Sequence, residues 1–382
     1  MAAPRVQELD AIRGVAVLGI LAVNAEAFGG PIEALHDMAA WPFPHQGATA
    51  WSYWFVDVFF REKFITLFSM LFGVSLFLVG GERDDPVRGR LLRRRLAVLF
   101  GFAMLHGFGV WWGDILSLYA VTGFVMYGCR SWPPRTLLVT GVALFGAMAL
   151  PLLPFDGADA VAPAGPGKAG AVAASMHAAT VSWAGAFQVN LRSYREMLEG
   201  YPWALPPTLG LMMIGLGLFK SGFLAGRAGT RRYGAMLAAG AVALSLQAWS
   251  SWQEVILLAP VAGSAFTSGV LAPVIALGYA AALVLLLRSR AAPLLAPLAA
   301  AGRMAFTNYL TQSLIMTTLF YGGRFALMGQ VDRPGLWAIV IAVWGVQLAW
   351  STWWLKRFDY GPFEWAWRCL TVGRRVPLAK TV

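Results

Sequence analysis

FFREKFITLFSMLFGVSL, from Phe59 to Leu76, places three ionic side chains, Arg61, Glu62 and Lys63, at the mouth of an apolar run long enough to enter a bilayer. A charged group at membrane depth costs about 3 kcal/mol, so such residues are expected to pair, to face water, or to serve a function. The rest of the chain agrees with a membrane reading. Of its 382 residues 58% are hydrophobic and only 13% charged, and the apolar runs are broken by Gly, Pro and short Arg clusters at intervals suited to spanning helices. A soluble protein is excluded by this pattern. The first apolar run follows Asp10 and Arg13 and ends in Asn24 and Glu26 without a small-residue cleavage site, so it reads as a retained helix rather than a signal peptide.

The net charge of +11 is distributed as a topology signal. Arginines gather between the apolar runs, at Arg83 to Arg95, Arg130 and Arg135, Arg227 to Arg232, Arg288 and Arg290, and in the tail from Lys356 to Lys380. With those segments cytoplasmic, the positive-inside rule holds at every other loop, and no nucleic-acid partner is expected. The expected fold is all-α: a polytopic transmembrane bundle of about ten spans, near 10–28, 54–81, 95–112, 114–130, 136–154, 206–226, 233–250, 266–287, 302–322 and 336–355, with both termini cytoplasmic. Residues 1–382 then form a single integral membrane domain in a bacterial cytoplasmic (inner) membrane, and residues 155–205 an extracytoplasmic loop between two five-helix halves. The first part of that loop, GADAVAPAGPGKAGAVAAS, reads as weakly structured, and NLRSYREMLEGYPW as an amphipathic helix at the outer interface. Cys129 and Cys369 both fall near the cytoplasmic face, and no disulfide is expected.

Helical geometry selects the candidate site residues. Arg13 and Asn24 are eleven residues apart, so they share a face of the first helix about 16 Å apart along its axis. Arg13 is either a snorkelling anchor or a charge that holds an anion arriving from the cytoplasm. In RRRLAVLFGFAMLHGFGVWWGDILSLYA, from Arg93 to Ala120, His106 lies eleven residues beyond Arg95, and Asp114 follows around the WWG break. A lone intramembrane His often only bridges helices. Paired with a carboxylate across a hairpin, it becomes a general base whose tautomer the Asp sets. Asn308 and Gln312, in GRMAFTNYLTQSLI, share a face as interhelical glue or as ligand contacts, and Glu364 among Trp365, Trp367 and Arg368 reads as an interfacial aromatic belt with an ion pair. No P-loop, G-x-S-x-G elbow or H-E-x-x-H is present, the four histidines are scattered, and no metal site is expected.

These segments resemble the YeiB-type family of bacterial multi-pass membrane proteins, catalogued as domain of unknown function 418. The resemblance rests on LDAIRGVAVLGILAVN (Leu9 to Asn24), KFITLFSMLFGVSL (Lys63 to Leu76), the Arg94 to Gly123 segment, GRMAFTNYLTQSLI (Gly302 to Ile315) and GPFEWAWR (Gly361 to Arg368). More distantly, the opening LDAIRG with an apolar helix ending in VN is similar to transmembrane acyltransferases of the heparan-α-glucosaminide N-acetyltransferase and family-3 types. Family-3 enzymes usually carry a His eleven residues after the Arg, where this chain has Asn24, as the glucosaminide group does. That group then carries a His, a Trp and an Asp, an order met here by His45, Trp51 and Asp57 at different spacing.

What the resemblance implies is acyl transfer from cytoplasmic acyl-CoA, with acetyl-CoA the first candidate, to a small-molecule, glycan or lipid-head-group acceptor at the outer side. Its chemistry would rest on His45, on His106, or on neither. The implied roles are His106, Asp114 and Asn24 in catalysis, Arg13, Lys63, Arg94 and Arg95 on the donor, and His45, Asp57, Asn308 and Gln312 on the acceptor. The alternatives are a transporter or lipid-handling protein that uses the same polar groups without covalent chemistry, and a scaffold whose intramembrane polar residues only lock helix packing. Membrane lipids are partners under either reading, and the aromatic and Gly-rich faces suit a homodimer.

Overall fold

The computed structural model describes residues 7–34, 38, 40–150 and 166–380. In chain order the helices are α1 (Gln7–Gly29), α2 (Gly47–Phe59), α3 (Lys63–Gly80), α4 (Pro86–Gly109), α5 (Leu116–Cys129), α6 (Pro134–Ala149), α7 (Pro166–Val181) and α8 (Trp183–Glu199). They continue with α9 (Tyr201–Lys220), α10 (Thr230–Ser251), α11 (Ser264–Leu287), α12 (Ala296–Arg303), α13 (Ala305–Phe320), α14 (Arg333–Arg357) and α15 (Pro362–Val372). No strand occurs among the described residues, only an isolated bridge between Phe358 and Ala379. The expected all-α bundle is therefore the fold.

Among the described residues five helical segments are long and apolar enough to cross a membrane: Gln7–Gly29, Gly47–Gly80, Tyr201–Lys220, Ser264–Leu287 and Arg333–Arg357. The other expected spans fall on the shorter helices α5, α6 and α13, or on α4 and α10, whose first turns carry Arg88 to Arg95 and Arg231 and Arg232. The span expected at 54–81 is broken. Glu62 sits in the left-handed region with φ 64°, which ends α2 and lets α3 start afresh at Lys63. The span expected at 302–322 likewise breaks at Met304, between α12 and α13.

Most of the chain between the fifth and sixth expected spans is helical. Residues 151–165, which include the first nine residues of the Pro/Gly-rich stretch, lie outside the described residues. Pro166–Val181 forms α7 instead of the weakly structured segment read from its Gly and Pro content, because the Ala-rich run beyond Lys168 carries high helix propensity.

Helix α1 is the spine. Its first half packs Leu9, Ile12 and Ala16 with Met70 and Val74 of α3 and Met212 and Leu216 of α9. Its second half packs Leu21, Ala25 and Phe28 with Phe320 of α13 and Leu336 and Val340 of α14. Glycines let backbones touch where helices cross, as expected where close packing replaces the hydrophobic effect. A Cβ added to Gly215 of α9 would lie 2.1 Å from the Met70 carbonyl oxygen, and one on Gly73 of α3 would lie 2.2 Å from that of Met212. Gly14 of α1 and Gly302 of α12 make a second such crossing, at 1.9 and 1.8 Å from the facing carbonyls. These glycines are spent inside the chain.

Gly215→Leu should force α3 and α9 apart. Overpacking of this kind costs about 1–3 kcal/mol, and here the obstacle is backbone, which cannot change rotamer. A melting temperature of the purified variant within a degree of the wild type would contradict this crossing.

Candidate functional site

Two polar centres lie at opposite ends of α1. The arginine-rich end gathers the start of α1, the first turns of α4 and the last helix, where Trp367 Nε1 donates to the Arg95 carbonyl at 2.9 Å and the Arg95 guanidinium lies 3.8 Å from the Trp367 ring. A cavity of about 350 Å³ opens there. Arg13, Arg95, Arg303 and Arg368 line it against a single carboxylate, Glu364; farther in, its wall is apolar, with Val17, Ile20, Phe68, Phe72, Leu99 and Phe306, and ends at Ile115 and Tyr309.

Arg13 pairs with Asp10 at 3.0 Å and donates to Ser75 at 3.3 Å, while Arg368 and Arg13 act on Arg95 as like charges. Glu364 does not form the belt ion pair expected of it. Its two oxygens accept from Phe306 N at 2.7 Å, Thr307 N at 3.0 Å and Thr307 Oγ1 at 2.5 Å, so it caps the N-terminus of α13.

Where this cavity ends, the catalytic candidates meet. Helix α4 stops at Gly109, and an irregular turn, Val110 to Ile115, returns the chain into α5. Non-helical backbone at such depth must be satisfied within the protein. Asp114, fully buried, does this: one oxygen pairs with His106 Nδ1 at 2.9 Å and the other accepts Ser117 N at 2.9 Å and Ser117 Oγ at 2.7 Å. With Nδ1–H given to the carboxylate, the free nitrogen of His106 is Nε2, buried and without a hydrogen-bond partner. The Tyr309 ring, on the cavity wall, stands 5.3 Å from the imidazole. The pairing expected between His106 and Asp114 is present.

Helices α8 and α9 cover this turn from the side opposite the arginines. Tyr194 donates to Ser117 Oγ at 3.1 Å, and the Tyr201 hydroxyl makes a very short bond to the same atom. Gly107 is required here, since a Cβ on it would lie 2.2 Å from the Tyr194 ring. One turn before Tyr194, Asn190 Nδ2 donates to the carbonyls of Gly107 at 2.9 Å and Phe108 at 3.1 Å. On this side a smaller cleft of about 120 Å³ is lined by Gly109 at the end of α4 and Val110 just after it, Trp183, Phe187 and Asn190 of α8, Leu314 and Thr317 of α13, and Tyr321, Gly322 and Arg324.

Cavity and cleft share two helices. Arg95 and Leu99 of α4 face the cavity and Gly109 and Val110 the cleft; on α13, Phe306 and Tyr309 face the cavity and Leu314 and Thr317 the cleft. His106 stands between them, one turn from Val110 and about 16 Å along α4 from Arg95.

The second polar centre surrounds the FFREKF stretch. Glu26 bridges two arginines, receiving Arg61 at 2.9 Å and Arg333 at 3.0 Å; Arg61 also pairs with Asp57 at 3.0 Å, and Gln247 donates to Asp57 at 3.3 Å. Lys63, buried, donates to the Asp57 carbonyl at 2.8 Å. The Arg333 guanidinium lies 4.2 Å from the Trp41 ring and 4.6 Å from the Tyr53 ring. With Asp332, which accepts from Trp41 at 3.2 Å and from Thr49, three acids face three bases. The charge is balanced internally, as the cost of burying ions requires.

The remaining candidates divide between these surroundings. Arg13 and Arg95 line the cavity, whereas Arg94 lies against Gly373, which caps the last helix, and Lys63 belongs to the ion network, so neither of these two lines it. His45 Nε2 bonds the Val255 carbonyl at 2.9 Å and its ring stands edge-on to Tyr53, which places it with Asp57 beside the ion network and not with the His106 pair. Burial pushes the His45 pKa down, the Val255 carbonyl opposes this, and the Arg333 charge lowers it further. Asn308 bonds Ser351 at 3.1 Å and the Ala301 carbonyl, and Gln312 bonds Gln347 at 2.8 Å; both are helix glue between α13 and its neighbours. Asn24 lies beyond Val17 and Ile20 on the cavity-facing side of α1, one turn past Ile20.

Ser117, Tyr194, Tyr201, Tyr309, Asn190 and Arg333 join these centres without a signal of their own in the sequence. Tyr309 and the α8 residues sat inside segments already singled out, but nothing in their spacing tied them to His106. Among the described residues no group of three His, Cys, Asp or Glu side chains could hold a metal ion.

Fold and site together define a polytopic membrane protein with a buried His–Asp pair between two chambers. The chain belongs to the YeiB family. It is 34% identical to the uncharacterized protein YeiB of Escherichia coli (strain K12) over 98% of both chains, and 31% identical to the uncharacterized protein YxaH of Bacillus subtilis (strain 168) over 98% of this chain and 96% of that one. It is also 27% identical to an uncharacterized 39.9 kDa protein from the amylase 3' region of Bacillus acidopullulyticus, over 98% and 96% of the two chains. The family described as "Protein of unknown function (DUF418)" matches residues 218–374. No solved structure matches the chain.

Proposed function

We propose that this protein transfers an acyl group from acyl-CoA on the cytoplasmic side of the bacterial inner membrane to an acceptor at the outer side. The observation that carries this reading is the position of His106: an oriented imidazole with a free Nε2, between an arginine-mouthed cavity and a cleft on the opposite side. The cavity suits the donor. Its arginines match the phosphates and adenosine diphosphate charge of coenzyme A, and the apolar wall beyond suits the pantetheine arm and a short acyl chain.

The step balances as follows. His106 Nε2 takes the proton of an acceptor hydroxyl or amine, the acceptor attacks the thioester carbonyl, and the carbon–sulfur bond breaks. The proton then passes from His106 to the leaving thiolate. Asp114 holds the imidazole in the required tautomer and stabilises its protonated form. Asn24, on the cavity-facing side of α1, supplies an amide donor for the developing oxyanion.

The test is stabilisation of the purified protein in nanodiscs by acetyl-CoA. A ligand that binds only the folded state adds about 2.7 kcal/mol at a hundredfold excess over its dissociation constant. Arg13→Ala and Arg95→Ala are each expected to need higher acetyl-CoA for the same rise in melting temperature. Absence of stabilisation by any acyl-CoA would hand the cavity and cleft to a transport path without covalent chemistry.

A further inference from the structure

The cleft beyond His106 has its own chemistry. Asn190 is buried, and its orientation is fixed because both Nδ2 protons are used, on the carbonyls of Gly107 and Phe108. The atom left unpartnered is therefore the amide oxygen, Oδ1, which can only accept. It demands a donor, a hydroxyl or an amine, from whatever enters the cleft. At the rim stands Arg324, an exposed cation with no ion pair among the described residues. It suits a phosphate.

The apolar part of the rim is also open. Trp183 is 58% exposed, Leu314 44% and the neighbouring Phe325 67%, and Trp183 stacks on Phe187 with ring centroids 5.4 Å apart. In a membrane protein such a border faces lipid, and tryptophans favour the level of the head groups. A phosphate site beside an apolar, lipid-facing wall fits a phospholipid better than a free polyol.

We infer that this cleft binds the hydroxyl-bearing head group of an anionic phospholipid, with the hydroxyl donating to Asn190 Oδ1, the phosphate on Arg324 and the acyl chains along Leu314 and Phe325. The site stands on its own geometry; its role as the acceptor site rests on the transferase reading above. The lipid hydroxyl would then enter one helical turn from His106.

The test measures binding of dihexanoyl phosphatidylglycerol to the full-length protein in detergent by thermal stabilisation, beside glycerol 1-phosphate and dihexanoyl phosphatidylcholine. Arg324→Ala and Asn190→Leu are each expected to raise the phosphatidylglycerol dissociation constant about tenfold, the loss of one charged or buried hydrogen bond. Arg13→Ala, at the other chamber, should leave it unchanged. Because Asn190 also ties α8 to α4, the melting temperature of each variant without ligand, beside that of the wild type, reports whether the fold is intact. Phosphatidylcholine, which has no hydroxyl, should bind at least tenfold more weakly.

Equal affinity for glycerol 1-phosphate and the lipid would assign the cleft to a soluble phosphorylated polyol and overturn the lipid source. Unchanged phosphatidylglycerol affinity in both variants would overturn the site. Binding lost in these variants, with no acyl transfer from any acyl-CoA, would uphold the cleft and reject the transferase.

Discussion

Replacing His106 with Gln is expected to lower acyl transfer to a membrane acceptor by about a hundred- to ten-thousand-fold, the usual contribution of a positioned general base. Gln is the informative substitution because its amide can still donate to Asp114, which otherwise keeps two bonds from Ser117 but loses the third. The fold should then survive. Acetyl-CoA should stabilise the variant as it does the wild type, since the arginines that face the donor lie about 16 Å away along α4. Undiminished transfer by the well-folded variant would remove His106 from the mechanism. Loss of both transfer and donor binding would show that His106 holds the donor instead of deprotonating the acceptor.

The second large effect is on stability. Glu26→Ala removes the carboxylate shared by Arg61 and Arg333, and Arg333, whose side chain is 3% exposed, has already one guanidinium nitrogen, Nη1, without a partner. Breaking a buried ion pair by deleting one member costs about 3–5 kcal/mol, because the remaining charge stays desolvated. Arg61 keeps Asp57, so Arg333 carries most of the loss. The double variant Glu26→Met with Arg333→Met should recover a large part of it, as apolar replacement of a whole pair often does. Denaturation in detergent measures both. A cost under about 1 kcal/mol for Glu26→Ala would mean that water reaches the cluster and screens it.

The candidate residues divide between the two polar centres according to how far their partners lie along the chain. The alignment of Arg13 with Asn24, and of Arg95 with His106, follows from the periodicity of single helices, and of these four Arg13 and Arg95 line the cavity. Lys63 does not line the cavity; sequence order puts it at the mouth of a span without saying which mouth. The break at Glu62 turns Lys63 back onto the Asp57 carbonyl, at the end of α1 that carries Glu26. His45 and Asp57 shared an order with the distant acyltransferases, but their partners are Val255 and the Arg61–Gln247 network. Glu364 was read by its aromatic neighbours in the chain, whereas its bonds go to Phe306 and Thr307, nearly sixty residues earlier.

By itself the sequence determined that this protein is an all-helical membrane bundle of the YeiB family, with an arginine-rich end and His106 and Asp114 on one hairpin. Those features are local: hydropathy, charge spacing and the 3.6-residue turn act within a window of about 20 residues. Only the tertiary structure decided that Tyr194 and Tyr201 close over Asp114 through Ser117, that Glu26 serves Arg61 and Arg333, and that α4 and α13 carry a cavity on one side of His106 and a cleft on the other. These contacts join residues 35 to over 300 positions apart. Which polar groups meet depends on how helices cross, and that is set by glycine-sized gaps and buried charge balance summed over the whole bundle.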